Sequence, residues 1–198
     1  MGAPRLIVGL GNFGWEYERT RHNAGFLAAE RLVTIFNLTS PVCFKNSQIV
    51  RGQVSGEKVI IAWPQTFMNL SGQAVRELAA FYKTPGRDIL ILHDEIDLTL
   101  GRLKISFGGG LAGHKGLTSI LTLLRENFCR LKIGVGRPPA EKFSGSIADY
   151  VLGRFTDQEW ARMDETLTRA AWAAAAWVKL GLASAQNQIN RRDQEPEG

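Results

Sequence analysis

The sequence predicts an α/β fold in which one mixed, twisted β-sheet lies between two layers of helices. Two observations support this prediction. Apolar β-type runs alternate with segments of helical periodicity along the whole chain, and no internal repeat interrupts them. The length of 198 residues fits one domain, and the 44% apolar content is enough for a sizeable core. We therefore expect a three-layer α/β/α domain over residues 1–190, followed by a polar C-terminal tail over residues 191–198.

The first half of the chain carries a strand, a helix, a hairpin and a second helix. Apolar patterning predicts strands at 5–10, 48–54 and 58–63, and helices at 26–36 and 71–82. The short polar segment Ser55, Gly56 and Glu57 is typical of the turn in a β-hairpin. Ser71 precedes the apolar stripe of the second helix and is predicted to be its N-cap.

The second half repeats the alternation and ends in a long helix. Strands are predicted at 88–92, 102–107 and 131–135, and helices at 117–124 and from 156 to about 180. Thr156 and Glu159 have the spacing of a capping box, and Phe155 with Trp160 can form the hydrophobic staple beside it. Gly181 is the expected stop of this helix. A loop is predicted at 136–146.

Composition favours an intracellular protein that meets an anionic partner. Two cysteines, Cys43 and Cys129, make no disulfide framework, and the N-terminus has no apolar signal region, so a cytoplasmic location is expected. No apolar stretch approaches the length of a membrane span. The formal net charge is +5, and one stretch concentrates seven basic residues: Arg102, Lys104, Lys115, Arg125, Arg130, Lys132 and Arg137. Nucleic acid is the leading candidate for the partner, although a solvated basic face fits the composition equally well.

Polar side chains collect directly after four of the predicted strands. The clusters occupy residues 12–23, 64–69, 93–97 and 108–115. Ligands of open α/β sheets bind beyond the carboxyl ends of the strands. If the strands are even partly co-directional, the four clusters meet in one crevice, which is the predicted functional site.

The residue types in these clusters narrow the chemistry. The chain has no G-x-S-x-G nucleophile elbow, and the glycine loop ending in His114 lacks the Lys and Ser/Thr of a phosphate-binding P-loop. What remains is imidazole, carboxylate and amide. An aspartate bonded to a histidine fixes its tautomer and keeps it competent as a base for water. This set is typical of a hydrolase that needs neither metal nor covalent intermediate.

Two other classes of site fit parts of the sequence. Gly9, Gly11 and Gly14 spell the dinucleotide fingerprint, but no clean helix starts at the third glycine, and Glu30 at the acidic position lies in a predicted helix. A metal site could use His93 with the carboxylates of 94–97, although no second histidine has a ligand spacing there. Both interpretations are weaker than the hydrolase, and no metal or cofactor is predicted.

Five motifs in the same order resemble the bacterial-type peptidyl-tRNA hydrolase family. They are Val-Gly-Leu-Gly-Asn-x-Gly-x-x-Tyr-x-x-Thr-Arg-His-Asn (8–23), Thr-Phe-Met-Asn-Leu-Ser-Gly (66–72), His-Asp-Glu-x-Asp-Leu (93–98), Gly-Gly-x-x-Gly-His-x-Gly (109–116) and Arg-Leu-x-Ile-Gly-x-Gly-Arg-Pro (130–138). The similarity extends from about residue 5 to 190. It implies a monomeric enzyme that cleaves the ester between a peptide and the 3′ end of tRNA, thereby recycling tRNA from stalled translation.

The resemblance also implies roles for individual residues. His22 matches the family's general base, Asp94 the carboxylate that supports it, and Asn12 the amide that distinguishes blocked from free aminoacyl-tRNA. Asn69 matches a catalytic amide of the crevice that holds the peptide and the terminal nucleotide. The residues implied to bind substrate there are Tyr17, Phe67, Met68, Gly113, His114 and Lys115. The residues expected to contact tRNA phosphates at the acceptor stem and CCA end are Arg102, Lys104, Arg130 and Lys132.

Three positions depart from the family pattern. Phe13 stands where the family usually has proline, and Lys115 where it usually has asparagine. Lys132 matches one of two basic residues that grip the tRNA 5′ phosphate, but Ser106 occupies the other position. A lysine only donates hydrogen bonds, so Lys115 either reaches a tRNA phosphate or weakens binding of the ester end. These departures leave open a second class, an RNA-binding relative with weak or no hydrolase activity.

Overall fold

The computed structural model describes residues 2–138, 141 and 143–192, and within them it confirms the predicted α/β class. The described residues contain seven strands: β1 Arg5–Gly9, β2 Val42–Phe44, β3 Ser47–Val54, β4 Glu57–Pro64, β5 Ile89–Glu95, β6 Leu103–Phe107 and β7 Cys129–Gly134. The same part of the chain forms five α-helices: α1 Ala24–Ile35, α2 Ser71–Tyr82, α3 Lys115–Leu124, α4 Ile147–Leu152 and α5 Asp157–Arg192. No helix in the described part of the chain combines the length and apolarity that a membrane span requires.

The seven strands form one mixed sheet in the order β2-β3-β4-β1-β5-β7-β6. The four central strands β4, β1, β5 and β7 run parallel, while β3 is antiparallel to β4 and β6 is antiparallel to β7. The hairpin predicted around Ser55 is confirmed as the β3–β4 pair. Because the central strands are parallel, the loops after β1, β4 and β5 leave the sheet at the same edge.

The two faces of the sheet bury separate apolar cores, as a three-layer fold requires. Alternate residues of β1 serve opposite faces. Ile7 packs into the core that includes α1 and α5, whereas Leu6 and Val8 pack into the core that includes α2 and α3. The central strands are buried on both sides, which explains why β1 and β5 read as nearly continuous apolar runs.

The first glycine motif serves close packing. A Cβ on Gly9 would lie 2.5 Å from the carbonyl oxygen of Gly25, and one on Gly25 would lie 2.2 Å from that of Leu92. The start of α1 therefore sits directly on β1 and β5. Helix α1 begins only at Ala24, ten residues after Gly14, so the strand–glycine–helix geometry of a dinucleotide site is not formed.

Three local predictions need correction or refinement. Ser71 is not the N-cap of α2: Leu70 holds that position, and the Ser71 hydroxyl instead donates to the Met68 carbonyl at 2.8 Å. Strand β5 continues past Leu92 to Glu95, so His93 and Asp94 lie in the strand itself. Gly181 does break the helical geometry, with φ 77°, but a second helical segment follows it to Arg192.

The start of α5 is as predicted. The Thr156 amide donates to Glu159 Oε2 at 2.8 Å, the Glu159 amide donates to Thr156 Oγ1 at 3.3 Å, and the Phe155 and Trp160 rings lie 6.1 Å apart. Residues 193–198 of the predicted tail, and residues 139, 140 and 142 of the predicted loop, lie outside the described residues.

Candidate active site

A crevice of about 730 Å³ opens at the carboxyl edge of the parallel strands. Side chains from all four predicted polar clusters line it, which confirms that the clusters meet. The lining residues that were predicted to be functional are Asn12, His22, Phe67, Met68, Asn69, Asp94, Gly113, His114 and Lys115. Tyr17, Arg102, Lys104 and Lys132 are not among the residues that line this cavity.

The glycine loop reaches the crevice by a different route from the one predicted. Strand β6 is antiparallel to β7, so β6 ends at Phe107, beside Cys129, at the edge of the sheet opposite the crevice. The loop then returns towards α3, and Arg130 fastens it on the way. The guanidinium group donates from Nη1 to the Gly110 carbonyl at 2.8 Å and from Nη2 to the Gly109 carbonyl at 2.5 Å.

The contacts of Arg130 differ from the predicted contact with a tRNA phosphate. The residue is 1% exposed and its two terminal nitrogens donate to loop carbonyls. In this structure Arg130 therefore holds the loop that carries His114. Across the β6–β7 pair, Arg130 lies opposite Ser106 and Lys104 lies opposite Lys132. Lys104 is exposed, and Lys132 is paired with Glu95 Oε2 at 2.8 Å.

His22 and Asp94 form the polar centre of the crevice. His22 lies in a one-turn 3-10 helix, Arg21–Asn23, just before α1, and Asp94 lies near the end of β5. The His22 Nδ1 is 2.9 Å from Asp94 Oδ1 and 3.0 Å from Oδ2. A carboxylate only accepts hydrogen bonds, so this contact places the proton of a neutral imidazole on Nδ1 and leaves Nε2 with a free lone pair.

The electrostatics of the pair keep Asp94 ionised and make His22 a stronger base. Burial opposes the charge of Asp94, but His22 and His114 outweigh burial, and the pKa of Asp94 lies well below its usual range. Burial lowers the pKa of His22. The charge of Asp94 and its hydrogen bond raise the pKa of His22 by more, so the net pKa of His22 is raised. Lys115 acts in the opposite direction and lowers it.

A second imidazole shares Asp94. His114 Nε2 lies 3.1 Å from Asp94 Oδ1, and the His22 and His114 rings are 5.0 Å apart. On its other side, His114 Nδ1 accepts from the backbone amides of Gly116 and Leu117 at 3.1 and 3.4 Å, which makes this side chain the N-cap of α3.

Among the described residues, His22, Asp94 and His114 could hold a metal ion, because one donor atom of each lies within 4.8 Å of the others. The hydrogen bonds of His114 argue against that use. A metal on Nε2 of a neutral imidazole requires a proton on Nδ1, but Nδ1 faces two amide N–H donors. The arrangement therefore favours protons between these side chains.

Asn12 is held in the crevice by a residue that was not assigned a role from the sequence. The buried Asn23 side chain accepts from the Asn12 amide at 2.8 Å and donates to the Asn12 carbonyl at 2.9 Å. Both backbone groups of Asn12 are thereby satisfied, while its side chain lines the cavity. No local sequence pattern marks this link, because the two residues are 11 positions apart.

Arg21 anchors the His22 segment on the other side. Its guanidinium donates from Nη1 to the carbonyls of Gly153 and Arg154 at 3.2 and 3.0 Å, and from Nη2 to both carboxylate oxygens of Glu159 at 2.8 and 2.7 Å. It also lies 4.2 Å above the Tyr150 ring. The residue before the histidine thus joins the site to the α4–α5 connection.

Helix α4 forms an apolar wall of the crevice that the sequence analysis missed. Ile147, Ala148, Val151 and Leu152 line the cavity from this six-residue helix. The available signal was the Ser-x-x-Asp spacing of 146–149, which forms a capping box at the start of α4.

Phe67 lies at the mouth of the crevice. This residue is 68% exposed, and its ring lies 6.2 Å from that of Phe13.

The fold and the His22–Asp94 pair in the crevice define an α/β protein with a candidate general-base site. Comparison with known protein families identifies which α/β family this is. The family model for peptidyl-tRNA hydrolase matches residues 6–197. The chain belongs to the peptidyl-tRNA hydrolase family.

Individual relatives agree with this membership over nearly the full length. The chain is 41% identical over 187 residues to a peptidyl-tRNA hydrolase of Rhodopirellula baltica, covering 94% of this chain and 97% of the relative. It is 43% identical over 187 residues to that of Chloroflexus aurantiacus, covering 93% and 98%. Among solved structures, the peptidyl-tRNA hydrolase of Acinetobacter baumannii superimposes with a TM-score of 0.87 at 38% identity, covering 96% of each chain.

Proposed function

We propose that this protein is an enzyme that hydrolyses the ester between a peptide, or an N-blocked amino acid, and the 3′ end of tRNA. Membership of the peptidyl-tRNA hydrolase family supports the reaction and the substrate. The observation that carries the mechanism is the contact of 2.9 Å between His22 Nδ1 and Asp94 Oδ1, since it leaves Nε2 of the base free on the crevice side.

In the proposed reaction, His22 Nε2 takes a proton from water while the water oxygen attacks the ester carbonyl. Asp94 stabilises the imidazolium that forms. Collapse of the tetrahedral intermediate breaks the bond to the 3′ oxygen of tRNA, which takes the proton back from His22. The products are free tRNA and a peptide with a carboxylic acid. The amides of Asn12 and Asn69 are suited to hold the carbonyl and the water, because an amide both donates and accepts.

The apolar wall of the crevice and the basic side chains of β6 and β7 suggest where the two ends of the substrate bind. Phe67, Met68 and the residues of α4 offer apolar contacts for the peptide and the terminal nucleoside. Lys104 is exposed on the same sheet face as Lys132, its cross-strand partner, and we assign these lysines, with Arg102, to phosphates of the acceptor stem. Tyr17 remains a proposed substrate contact. We further propose a monomeric enzyme that acts in the cytoplasm, where stalled translation supplies peptidyl-tRNA.

The test is hydrolysis of N-acetyl-aminoacyl-tRNA by the purified protein, with free aminoacyl-tRNA as the matched substrate. We expect release of the N-acetyl amino acid in the presence and absence of EDTA, and much slower release of the free amino acid. Binding of tRNA without release of the blocked amino acid would contradict the proposal and favour the alternative of a non-hydrolytic RNA-binding relative.

A further inference from the structure

The Nδ1 atom of His114 faces hydrogen-bond donors, whereas its Nε2 atom faces a carboxylate acceptor. These partners fix the tautomer of the imidazole ring. We propose that His114 is a positioning residue that caps α3 with Nδ1 and, through Nε2–H, fixes the Asp94 carboxylate in the orientation that His22 requires. This inference rests on the proposed function, because it concerns the residues that support the base. It assigns His114 an action through Asp94 that is separate from contact with the substrate.

The tautomer follows from the backbone. The amides of Gly116 and Leu117 are N–H donors that point at Nδ1, so Nδ1 must offer a lone pair. These amides belong to the first turn of α3, whose N–H groups have no partner within the helix. A neutral His114 therefore carries its proton on Nε2, 3.1 Å from Asp94 Oδ1.

Asp94 is well placed to transmit this constraint. Its side chain is 3% exposed, so it has little access to water, and among the described side chains the imidazoles of His22 and His114 donate to it. His22 contacts both carboxylate oxygens, whereas His114 contacts Oδ1 alone. The second donor holds the plane of the carboxylate and takes up part of its charge, which limits how strongly Asp94 can favour the imidazolium form of His22.

The charged and titratable groups around His22 come from several elements. Asp94 faces it from β5, His114 from the glycine loop and Lys115 from the start of α3, while Arg137 lines the same crevice after β7. Arg137 is itself paired with Asp97. Of these groups, His114 is the one that acts on His22 through a hydrogen bond to the carboxylate of Asp94.

Two substitutions separate the two contacts of His114. In His114→Asn, the short amide oxygen can still cap α3, but the side chain cannot reach Asp94. In His114→Gln, the longer amide can donate to Asp94, but the cap is lost. The measurements are the melting temperature and the pH profile of kcat/KM on N-acetyl-aminoacyl-tRNA. Thr156→Ala is the matched control, because it removes a cap from α5 and leaves Asp94 untouched.

For His114→Asn we expect a melting temperature about 2–4 °C lower than wild type, because the cap is kept but the buried Asp94 carboxylate loses a hydrogen bond. The acid limb of kcat/KM should move to higher pH by about 0.5–1 unit, since Asp94 then acts on His22 without a competing donor. For His114→Gln and for Thr156→Ala we expect a melting temperature about 2–4 °C lower and an unchanged acid limb.

Three results would overturn the inference while leaving the hydrolase intact. They are an unchanged acid limb in His114→Asn, an equal shift of that limb in His114→Gln, or ¹⁵N imidazole shifts of wild-type His114 that show a proton on Nδ1. Absence of hydrolysis by the wild-type protein would instead refute the proposed function. The ¹⁵N measurement needs no activity, so it tests the tautomer in either case, and a lone pair on Nδ1 is the expected result.

Discussion

His22 Nδ1 lies within 3.0 Å of both carboxylate oxygens of Asp94, and the two residues come from neighbouring elements at the carboxyl edge of the sheet. The contact between His22 and Asp94 depends on the close packing of the start of α1 against β5. The tight approach of Gly25 to the Leu92 carbonyl brings the segment before α1 onto the end of β5. The orientation of the base is thus a consequence of how α1 seats on the sheet.

Asp94→Asn should lower the rate and also shift its pH dependence. Asp94 raises the pKa of His22, whereas burial and Lys115 lower it. Removing the carboxylate therefore lowers the pKa of His22, and the acid limb of kcat/KM should move to lower pH. The plateau should fall by about 10²–10⁴-fold, because the tautomer of the base is no longer enforced. A limb that moves to higher pH would contradict the account of this pair.

Lys115→Asn restores the residue usual in the family and should act in two ways. Because Lys115 lowers the pKa of His22, its removal should move the acid limb to higher pH. We also expect better kcat/KM on short substrates that retain only the ester end, and weaker binding of full-length tRNA. Unchanged kinetics on the short substrate, together with unchanged tRNA affinity, would mean that Lys115 faces solvent during catalysis.

Arg21→Ala should destabilise the protein by about 3–5 kcal/mol, because it leaves Glu159 and several carbonyls without their buried partner. The Arg21–Glu159 side chains are 8% and 25% exposed. Arg31→Ala is the control, since the Arg31–Asp164 pair is 29% and 52% exposed and such pairs contribute about 0–1 kcal/mol. Urea unfolding measures both. Similar losses in the two variants would contradict the anchoring role of Arg21.

Lys104→Ala should reduce the salt dependence of tRNA binding. Each phosphate contact contributes about 0.9 to the slope of log K against log salt, in an estimate carried over from duplex DNA, so the slope should fall by about one. Arg130→Met should destabilise the glycine loop and leave the slope of the folded protein unchanged, because Arg130 is buried. A slope that falls with Arg130→Met and stays constant with Lys104→Ala would reverse these assignments.

The sequence predicted the crevice more reliably than the details of its walls. Clusters after β1, β4 and β5 converge because parallel strands end at one edge, and that follows from element order alone. The burial of Arg130 could not be predicted this way. In the strand pattern it alternates with apolar residues as an exposed arginine would, and only the antiparallel pairing of β6 reveals the loop that covers it.

Two helix caps could not be predicted from the sequence either: the N-cap of α2 and the capping of α3 by His114. Ser71 is a residue type that often caps helices, but it directly follows the 3-10 turn Met68–Leu70, and its hydroxyl donates to the Met68 carbonyl. Histidine is not a usual N-cap, so His114 offered no sequence signal for one. Both depend on the path of the loop that precedes the helix, which local preference does not specify.

The central claim, that His22 is the base, is tested most directly by comparing wild type with His22→Ala on N-acetyl-aminoacyl-tRNA. We predict a loss of about 10²–10⁴-fold in kcat, with a Kd for tRNA within about twofold of wild type and no effect of EDTA on either protein. Undiminished turnover by His22→Ala, or wild-type activity that chelation abolishes and a divalent metal restores, would contradict the account.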